Sequence, residues 1–322
     1  MSKTFKLLTI AGRPEFLPAN SASLVIGISW GLTLPVNVIN GLVVPLMLTF
    51  AVITLVAAFA AHINTLSDYE LDTKDETKKN LVEAVEKLGL RKLEQFMIIE
   101  LLLSFALLLL LAVIQEKPAL IAMWVAAVFL AYAYSALPLR LKSRSFLAPV
   151  TLMIVLSILP VTFVAYVFTT TLGFAYWLFL AGQAITVYAV IIPAEIRDYF
   201  GDKAKGVVTM TVQLGLRNAS LIGLALLSLG GMLCGVGFIL ELSSNSFQIL
   251  AIFLLIMAAA YLHVLMKYLN LYKLSNELAQ PQSREHTEQS IVELATKNPK
   301  WITLITQSIV AVCIVLLLSK LI

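Results

Sequence analysis

A nine-residue stretch, NTLSDYELD at 64–72, places one amide and two carboxylates at helical spacing. Asn64, Asp68 and Asp72 are four residues apart, so on a helix their side chains project from one face. Like charges at this spacing repel each other by about 0.2–0.5 kcal/mol, and the stretch directly follows a long apolar run. Because ionised side chains are costly next to lipid, we expect a positively charged partner here.

A second acidic stretch, AEIRDYFGD at 194–202, also ends an apolar run. Its acids, Glu195, Asp198 and Asp202, are three and four residues apart. Mg2+ takes oxygen ligands and commonly combines one or two carboxylates with substrate phosphates. Solvated acids at helix ends would explain one such cluster more easily than two on the same side of a membrane. We predict that the two stretches face each other and bind magnesium, and through it a diphosphate. The predicted ligands are Asn64, Asp68, Asp72, Asp198 and Asp202.

Basic side chains follow both acidic stretches and also occupy the segment YSALPLRLKSR at 134–144. A departing diphosphate needs charge neutralisation, which lysine and arginine supply. The general excess of basic residues on the cytoplasmic side of membrane proteins accounts for most of them. The predicted diphosphate-binding residues are Asn64, Arg140, Lys142, Lys203, Lys205 and Lys78.

Aromatic and acidic residues beside these stretches are candidates for the chemical step. Tyr134 and Tyr199 could stabilise a carbocation by cation–π attraction, worth up to about 2 kcal/mol when desolvated, although packing is the commoner role of such rings. A carboxylate could remove a proton from an acceptor, and the sequence does not decide between Glu195 and Asp198. Together with Asp68, these two are the predicted catalytic residues.

The elements that must position these residues are transmembrane helices. The chain has 322 residues, of which 60% are hydrophobic and 13% charged, a composition that excludes an ordinary soluble domain. A helix needs about 20 apolar residues to span a bilayer. We predict an all-α integral membrane protein with one domain, 1–322. Its nine spanning helices would lie at 20–38, 40–64, 94–115, 118–138, 146–169, 172–196, 218–241, 245–268 and 300–320.

Orientation follows from the distribution of lysine and arginine, which favour the cytoplasmic side in short loops. With nine spans, the N-terminus and the loops on its side carry 21 of the 23 basic residues, and the opposite side carries Lys117 and Lys320. We predict a multi-pass protein of the inner or plasma membrane, with the N-terminus and both acidic stretches facing the cytoplasm. Segments 65–93, 139–145 and 197–217 would cap the bundle there.

Three local patterns predict structural rather than chemical roles. The loop segment NLVEAVEKLG has an apolar helical face, with Asn80 as the expected N-cap and Gly89 as the expected end. Cys234 and Cys313 fall inside predicted spans, where packing is a better interpretation than a disulfide or a metal site. His62 is interpreted as a hydrogen-bonded packing residue in preference to a catalytic one.

Taken together, these motifs resemble the UbiA superfamily of intramembrane prenyltransferases. The resemblance is carried by NxxxDxxxD after the second span, YSxxPxRxK after the fourth, and DxxxD after the sixth. The continuation GDKAKGVVTMTVQLG and the pair Arg13–Pro14 before the first span add to it. It covers the whole chain, because the number of spans, the order of the motifs and their side of the membrane all agree.

The resemblance implies nine transmembrane helices around a central cavity, capped by cytoplasmic loop helices. It also implies Mg2+-dependent transfer of a prenyl group from an allylic polyprenyl diphosphate to a lipophilic acceptor, such as a quinone precursor, in the bilayer and without nucleic acid. In this chain TKDETKKNLVEAVEKLG replaces the Arg-Pro pair and glycine that often follow the first motif, and Glu195 is an extra acid. The acceptor stays open, because IRD resembles naphthoquinone-type enzymes whereas YSALPLRLK resembles pigment-type ones.

Three alternatives remain at this point. Some members of the superfamily cyclise a prenyl diphosphate and need no acceptor. A cation or proton transporter would also carry intramembrane acids, but such acids usually lie near the midplane rather than at the ends of spans. A family member without catalytic activity is disfavoured, since all five motif positions keep an acid or amide side chain.

Overall fold

The described part of the chain is built from helices. The structure is a computed structural model and describes residues 3–12, 17–32, 39–74, 78–206, 208–241, 247–278 and 284–321. These ranges contain no strand, which confirms the all-α prediction. The helices are α1 (Lys3–Ala11), α2 (Leu17–Gly31), α3 (Ile39–Asp72), α4 (Lys79–Leu88), α5 (Leu90–Ile114), α6 (Ala119–Ser135), α7 (Leu147–Met153), α8 (Leu159–Phe168), α9 (Phe174–Ala189), α10 (Ile192–Lys205), α11 (Met210–Leu214), α12 (Leu216–Glu241), α13 (Phe247–Glu277), α14 (Arg284–Thr296) and α15 (Asn298–Leu321). A 3₁₀ turn at Leu141–Ser143 follows α6, and a π-helical turn at Ile154–Ile158 joins α7 to α8.

Seven helical segments in the described ranges are long and apolar enough to cross a membrane. Two further predicted spans, 20–38 and 118–138, correspond to the shorter apolar helices Ser21–Gly31 and Ala119–Ser135. The chain is therefore an integral multi-pass membrane protein, and the count of nine crossings stays a prediction. The seven segments are Gly41–Asp72, Leu90–Ile114, Leu147–Phe168, Phe174–Ala204, Leu216–Glu241, Ile249–Glu277 and Glu285–Lys320.

Both acidic stretches lie on helices, but only the first lies on an unbroken continuation of its predicted span. α3 continues unbroken past the predicted end of its span and carries NTLSDYELD on its last turns. By contrast, the predicted span 172–196 is interrupted between Ala189, where α9 ends, and Ile192, where α10 begins. Pro193 explains the break, because proline cannot donate the backbone hydrogen bond of a continuous helix yet is tolerated in the first turn of a new one. The second acidic stretch therefore lies on a helix of its own.

α9 and α12 pack closely because glycines lie at their contact. A Cβ atom added at Gly230 would lie 2.8 Å from the carbonyl oxygen of Gly182. One added at Gly182 would lie 2.6 Å from the backbone nitrogen of Cys234. Small residues allow this approach in membranes, where lipid is as apolar as the helix surface. Cys234 and Cys313 are both buried and free, as expected for packing residues.

α1 and α4 pack together beside the end of α3 that carries the first acidic stretch. Gly89 ends α4 with a φ of 86°, as predicted. The prediction that Asn80 caps α4 is wrong: the helix begins at Lys79, and Lys78 precedes it without a capping side-chain hydrogen bond. The side chain of Lys78 instead contacts Asp72 on α3. The buried residues of this contact are Ala11, Val85, Leu88 and Leu93.

Side chains of α3 hold the C-terminal end of α1. The last carbonyl groups of a helix lack partners within it. Here the Thr65 hydroxyl donates to the carbonyl of Ala11 at 2.9 Å, and Nε2 of His62 lies 3.2 Å from the carbonyl oxygen of Leu8. Nδ1 of His62 lies 3.0 Å from the carboxylate of Glu100 on α5. His62 is thus the hydrogen-bonded packing residue that the sequence predicted.

Replacing Gly230 by alanine should destabilise the protein. The added methyl group would meet the backbone of α9, and overpacking of this kind typically costs about 1–3 kcal/mol. Thermal unfolding in detergent, followed by size-exclusion chromatography, measures the effect. Gly235→Ala on the same helix is the matched control, because a Cβ there meets nothing within 4 Å. Equal melting temperatures for both variants would contradict the close contact of α9 and α12.

Candidate functional site

The first acidic stretch is paired with the basic segment that follows α6. Arg140 Nη2 lies 2.9 Å from one carboxylate oxygen of Asp68, and Lys142 Nζ lies 2.5 Å from the other. The same ammonium group donates to Oδ1 of Asn64 at 2.7 Å. The positive partner expected for this stretch is therefore present, and it comes from residues predicted to bind diphosphate. Their catalytic roles stay predictions.

A tight turn in the backbone of the basic segment carries Arg140 and Lys142. Arg140 has a φ of 37° in the left-handed region, which costs an L-residue with a side chain about 1–2 kcal/mol. Its carbonyl accepts the backbone N–H of Ser143 at 3.0 Å, which closes the 3₁₀ turn, and also the Ser143 hydroxyl at 2.8 Å. Ser135, which the sequence analysis did not single out, donates to Oδ1 of Asn64 at 3.3 Å. Ser135 directly follows Tyr134 in the segment YSALPLRLKSR, and this position in the sequence could have identified it as a candidate site residue.

Asp72, at the end of α3, has a separate basic partner. Its carboxylate lies 2.6 Å from Nζ of Lys78. The Asp72 side chain is only 5% exposed, whereas that of Lys78 is 37% exposed. Because a buried carboxylate needs compensation, Lys78 stabilises the charge of Asp72. The structure therefore places the predicted diphosphate-binding residue Lys78 beside the first acidic stretch.

The acids of the second stretch lie in different surroundings. Asp198 is half exposed and accepts two hydrogen bonds from its neighbour Arg197, at 2.7 Å and 2.9 Å. Glu195, one turn earlier on α10, accepts a hydrogen bond of 2.7 Å from the hydroxyl of Thr211. Thr211 is fully buried and lies on α11, which the sequence analysis did not connect with the site. Asp202 is half-buried.

One tyrosine is electrostatically coupled to both acidic stretches. The phenol of Tyr134 lies within electrostatic reach of both Asp68 on α3 and Glu195 on α10. Glu195 is in turn within electrostatic reach of Asp198 and Asp202. That the two acidic helix ends bind magnesium between them stays a prediction, as does the role of Tyr134 in stabilising a cation.

Two other predicted site residues, Lys203 and Tyr199, contact each other at a cavity, and the remaining ones lie outside what the structure describes. Nζ of Lys203 lies 3.4 Å from the Tyr199 hydroxyl and 5.5 Å from the centre of its ring. Both residues line a cavity of about 490 Å³ together with Arg217 and Glu288. The side chain of Lys205 and the pair Arg13–Pro14 lie outside what the structure describes.

The donor chemistry of the first stretch fits a hard cation. Among the described residues, no three carboxylate, histidine or cysteine groups come together as a preassembled metal site. However, the oxygens of Asn64 and Asp68 already converge on one positive group, the ammonium of Lys142. Oxygen ligands of this kind, with only one or two carboxylates per site, are what Mg2+ commonly uses beside phosphate.

The chain is similar to known proteins in sequence family and in fold. A family model described as the UbiA prenyltransferase family matches residues 24–275. A UbiA homolog from Archaeoglobus fulgidus bound to GPP and Mg2+ has 16% identity and a TM-score of 0.63, with 93% of this chain and 99% of that chain covered. A chain from work on the biosynthesis of digeranylgeranylglyceryl phosphate synthase in membranes has 15% identity and a TM-score of 0.63, with 97% and 99% covered. A UbiA homolog from Aeropyrum pernix K1 has 14% identity and a TM-score of 0.55, with 94% and 98% covered. No curated protein sequence matches the chain.

Replacing Lys142 by methionine should loosen the basic segment. The variant lacks the ammonium group of Lys142, a side chain that is only 16% exposed, so Asn64 and Asp68 lose a shared partner. Because this contact holds the segment against α3, amide exchange across residues 139–146 should become about tenfold faster. Hydrogen–deuterium exchange measures this change. Lys87→Met is the control, because the Lys87–Glu83 pair on α4 is exposed on both sides. Unchanged exchange at 139–146 would contradict a structural role of the Lys142 contacts.

Proposed function

We propose that this chain, which belongs to the UbiA prenyltransferase family, transfers a prenyl group from an allylic prenyl diphosphate to a lipophilic acceptor within the membrane. The reaction would require Mg2+ and would release diphosphate. One observation carries the proposal: Asn64, Asp68, Arg140 and Lys142 form a mixed cluster of acids and bases. The phenol of Tyr134 lies within electrostatic reach of Asp68 in this cluster and of Glu195 on α10.

The basic residues of this cluster suit the head of a prenyl diphosphate. Arg140 and Lys142 are both partly exposed, at 26% and 16%, so a ligand could contact them. Arginine offers several donors in a fixed plane, and lysine a compact charge, and both bind phosphate oxygens. They would neutralise the charge that the diphosphate gains as its ester bond breaks. Lys78 would add a third positive charge through its contact with Asp72.

The acidic residues would hold the metal. The residues proposed as ligands are Asn64, Asp68, Asp72, Asp198 and Asp202. Bound Mg2+ supplies charge neutralisation at the phosphate oxygens. The homolog from Archaeoglobus fulgidus, which is bound to GPP and Mg2+, supports the choice of Mg2+ as the metal, as does a second structure of that homolog with DMAPP and Mg2+.

Tyr134 is the better placed of the two tyrosines to shelter positive charge on the prenyl group. Its phenol lies within electrostatic reach of acids in both stretches, which would hold the diphosphate whose bond breaks. Tyr199 contacts Lys203 instead, so its ring already has a cationic neighbour. An aromatic face attracts a desolvated cation by about 2 kcal/mol. The apolar tail of the substrate would remain among the apolar side chains of the helices, which explains why the acids lie so close to lipid.

We propose a lipophilic acceptor, such as a quinone precursor or a glycerol-based lipid, approaching from the bilayer. For the group that takes its proton, Glu195 and Asp198 are the two candidates.

We propose that the site faces the cytoplasm. In the predicted topology, the end of α3 and the helix α10, which carry the acids, lie on the same side as the basic loops, and the opposite side carries Lys117 and Lys320. The excess of basic residues on one side supports this orientation. The membrane would be the inner or plasma membrane.

Asp68→Asn and Asp198→Asn should each abolish Mg2+-dependent prenyl transfer while the protein still folds. Each change removes a negative charge from the proposed metal site but keeps the side-chain size. The assay is release of diphosphate and formation of prenylated lipid by purified protein, with folding checked by thermal unfolding. Glu83→Gln is the control, since Glu83 pairs only with Lys87 on the exposed face of α4 in the contacts described.

Other outcomes of the same assay separate the alternatives. Full activity in both aspartate variants would contradict the metal assignment. A cyclic hydrocarbon or alcohol formed from geranylgeranyl diphosphate and Mg2+ without acceptor would identify a cyclase. Ion flux into proteoliposomes that depends on Asp68 would favour a transporter.

A further inference from the structure

The cavity of about 490 Å³ beside α10 lies where four membrane-spanning segments end. Its lining residues are near the ends of Phe174–Ala204 and Ile249–Glu277 and near the starts of Leu216–Glu241 and Glu285–Lys320. In a bilayer, the ends of spanning helices lie at the level of the lipid headgroups. The volume is within the range of about 300–1,000 Å³ that is typical of ligand pockets. The cavity therefore has the position and the size to hold a headgroup.

Two basic side chains of this cavity have aromatic partners. Nζ of Lys203 lies 3.4 Å from the hydroxyl of Tyr199 and 5.5 Å from the centre of its ring. The guanidinium carbon of Arg217 lies 6.0 Å from the centre of the Tyr272 ring. Glu288 also lines the cavity, so two positive charges and one negative charge leave a net charge of +1 on the lining. Both cations are exposed, and an anionic ligand would be attracted to them.

Apolar side chains line the same cavity, among them those of Phe200, Leu214 and Leu278. Inorganic phosphate has no apolar part and gains nothing from contact with these side chains. A phospholipid has both a phosphate group and hydrocarbon chains, so it can contact the cations and the apolar residues together. The mixed lining therefore favours a lipid headgroup over a free phosphate.

The cavity is on a different face of α10 from the proposed metal ligands. Tyr199 and Lys203 are four residues apart and share one face of the helix, and Asp198 and Asp202 share another. Successive residues are about 100° apart around a helix, so these two faces point in different directions. The face of Lys203 borders the cavity together with residues of α12 and α14, and both helices pack against α10. The cavity is therefore separate from the proposed magnesium site.

We propose that this cavity binds the phosphate headgroup of an anionic phospholipid, and that Lys203 and Arg217 contact the phosphate oxygens. Basic pockets between transmembrane helices on the cytoplasmic side bind such headgroups, and the proposed orientation places the cavity on that side. Arginine donates two parallel hydrogen bonds to phosphate, and lysine supplies a compact charge. Lys203, predicted from the sequence to bind the substrate diphosphate, would contact a lipid instead.

A repeated tetrapeptide provides the matched control for Arg217. The sequence LGLR occurs at 88–91 and again at 214–217. The glycine has a positive φ in both copies, 86° in the first and 78° in the second. The arginine is the second residue of a long helix in both, of α5 and of α12. Arg91 and Arg217 are both exposed, but Arg91 is not among the residues that line the cavity. Arg91→Gln therefore removes the same charge from the same local setting.

The test is binding of phosphatidylglycerol to the purified full-length protein in a neutral detergent. Native mass spectrometry measures the dissociation constant, and thermal unfolding measures the stabilisation. Parallel titrations use phosphatidylcholine, inorganic phosphate, and geranyl S-thiolodiphosphate with Mg2+. The variants are Arg217→Gln, Lys203→Gln and the control Arg91→Gln.

We expect phosphatidylglycerol to bind the wild type and to raise its melting temperature, and the other two phosphate compounds without a diphosphate to bind about tenfold more weakly or less well. Arg217→Gln and Lys203→Gln should each weaken binding of phosphatidylglycerol about tenfold, because a hydrogen bond to a charged group is lost. Arg91→Gln should change it by about twofold at most, as expected for an exposed charge outside the cavity. Arg217→Gln should bind the diphosphate analogue as the wild type does.

Four results would overturn the inference. Equal weakening in Arg91→Gln would mean that the lipid is held by general surface charge. Equal binding of phosphatidylcholine would remove the need for an anionic headgroup, and equal binding of inorganic phosphate would assign the cavity to a free anion. Loss of analogue binding in Arg217→Gln would make the cavity part of the diphosphate site. If Arg217→Gln does not fold, Lys203→Gln decides lipid binding by the same comparison with Arg91→Gln. None of these titrations depends on prenyl transfer, so failure of the proposed function would leave the lipid site standing.

Discussion

Carboxylates at the boundary of a membrane must have positive partners, and this requirement organises the site. Lys142 contacts both Asn64 and Asp68, and Arg140 contacts Asp68 from the same turn. Without such partners the end of α3 would bring unpaired charge next to apolar side chains, which costs several kcal/mol for each ion. The basic segment after α6 is therefore held against α3 by charge, although the two are more than 70 residues apart in the chain.

The same requirement explains why the backbone of that segment is strained. Arg140 adopts a left-handed conformation that is unfavourable for a residue with a side chain. Such conformations persist where surrounding contacts determine them, and they are concentrated at functional sites. Here the contacts are the Asp68 ion pair and the Ser143 hydrogen bond. Local strain and long-range charge pairing thus depend on each other.

A break in a membrane-spanning segment gives the second stretch its two environments. Because α10 starts afresh at Ile192 with Pro193 in its first turn, the helix can take a direction of its own. Its inner face presents Glu195 to Thr211 and to the phenols of Tyr134 and Tyr188. Its outer face presents Asp198, which is half exposed. Two acids three residues apart can therefore have different chemical roles.

The sequence by itself determined the class of protein, the helical spans and the identity of the chemical groups. Apolar runs of about 20 residues and four-residue spacing of acids are local properties, so α3, its acidic face and the basic segment were predictable. The start of α4 at Lys79 and the break after Ala189 were missed, although Pro193, which explains the break, is visible in the sequence. Only the tertiary structure decided which base pairs with which acid, and that the Thr211 hydroxyl donates to Glu195. These pairings join distant parts of the chain, and their choice depends on how the helices pack, which residue spacing does not contain.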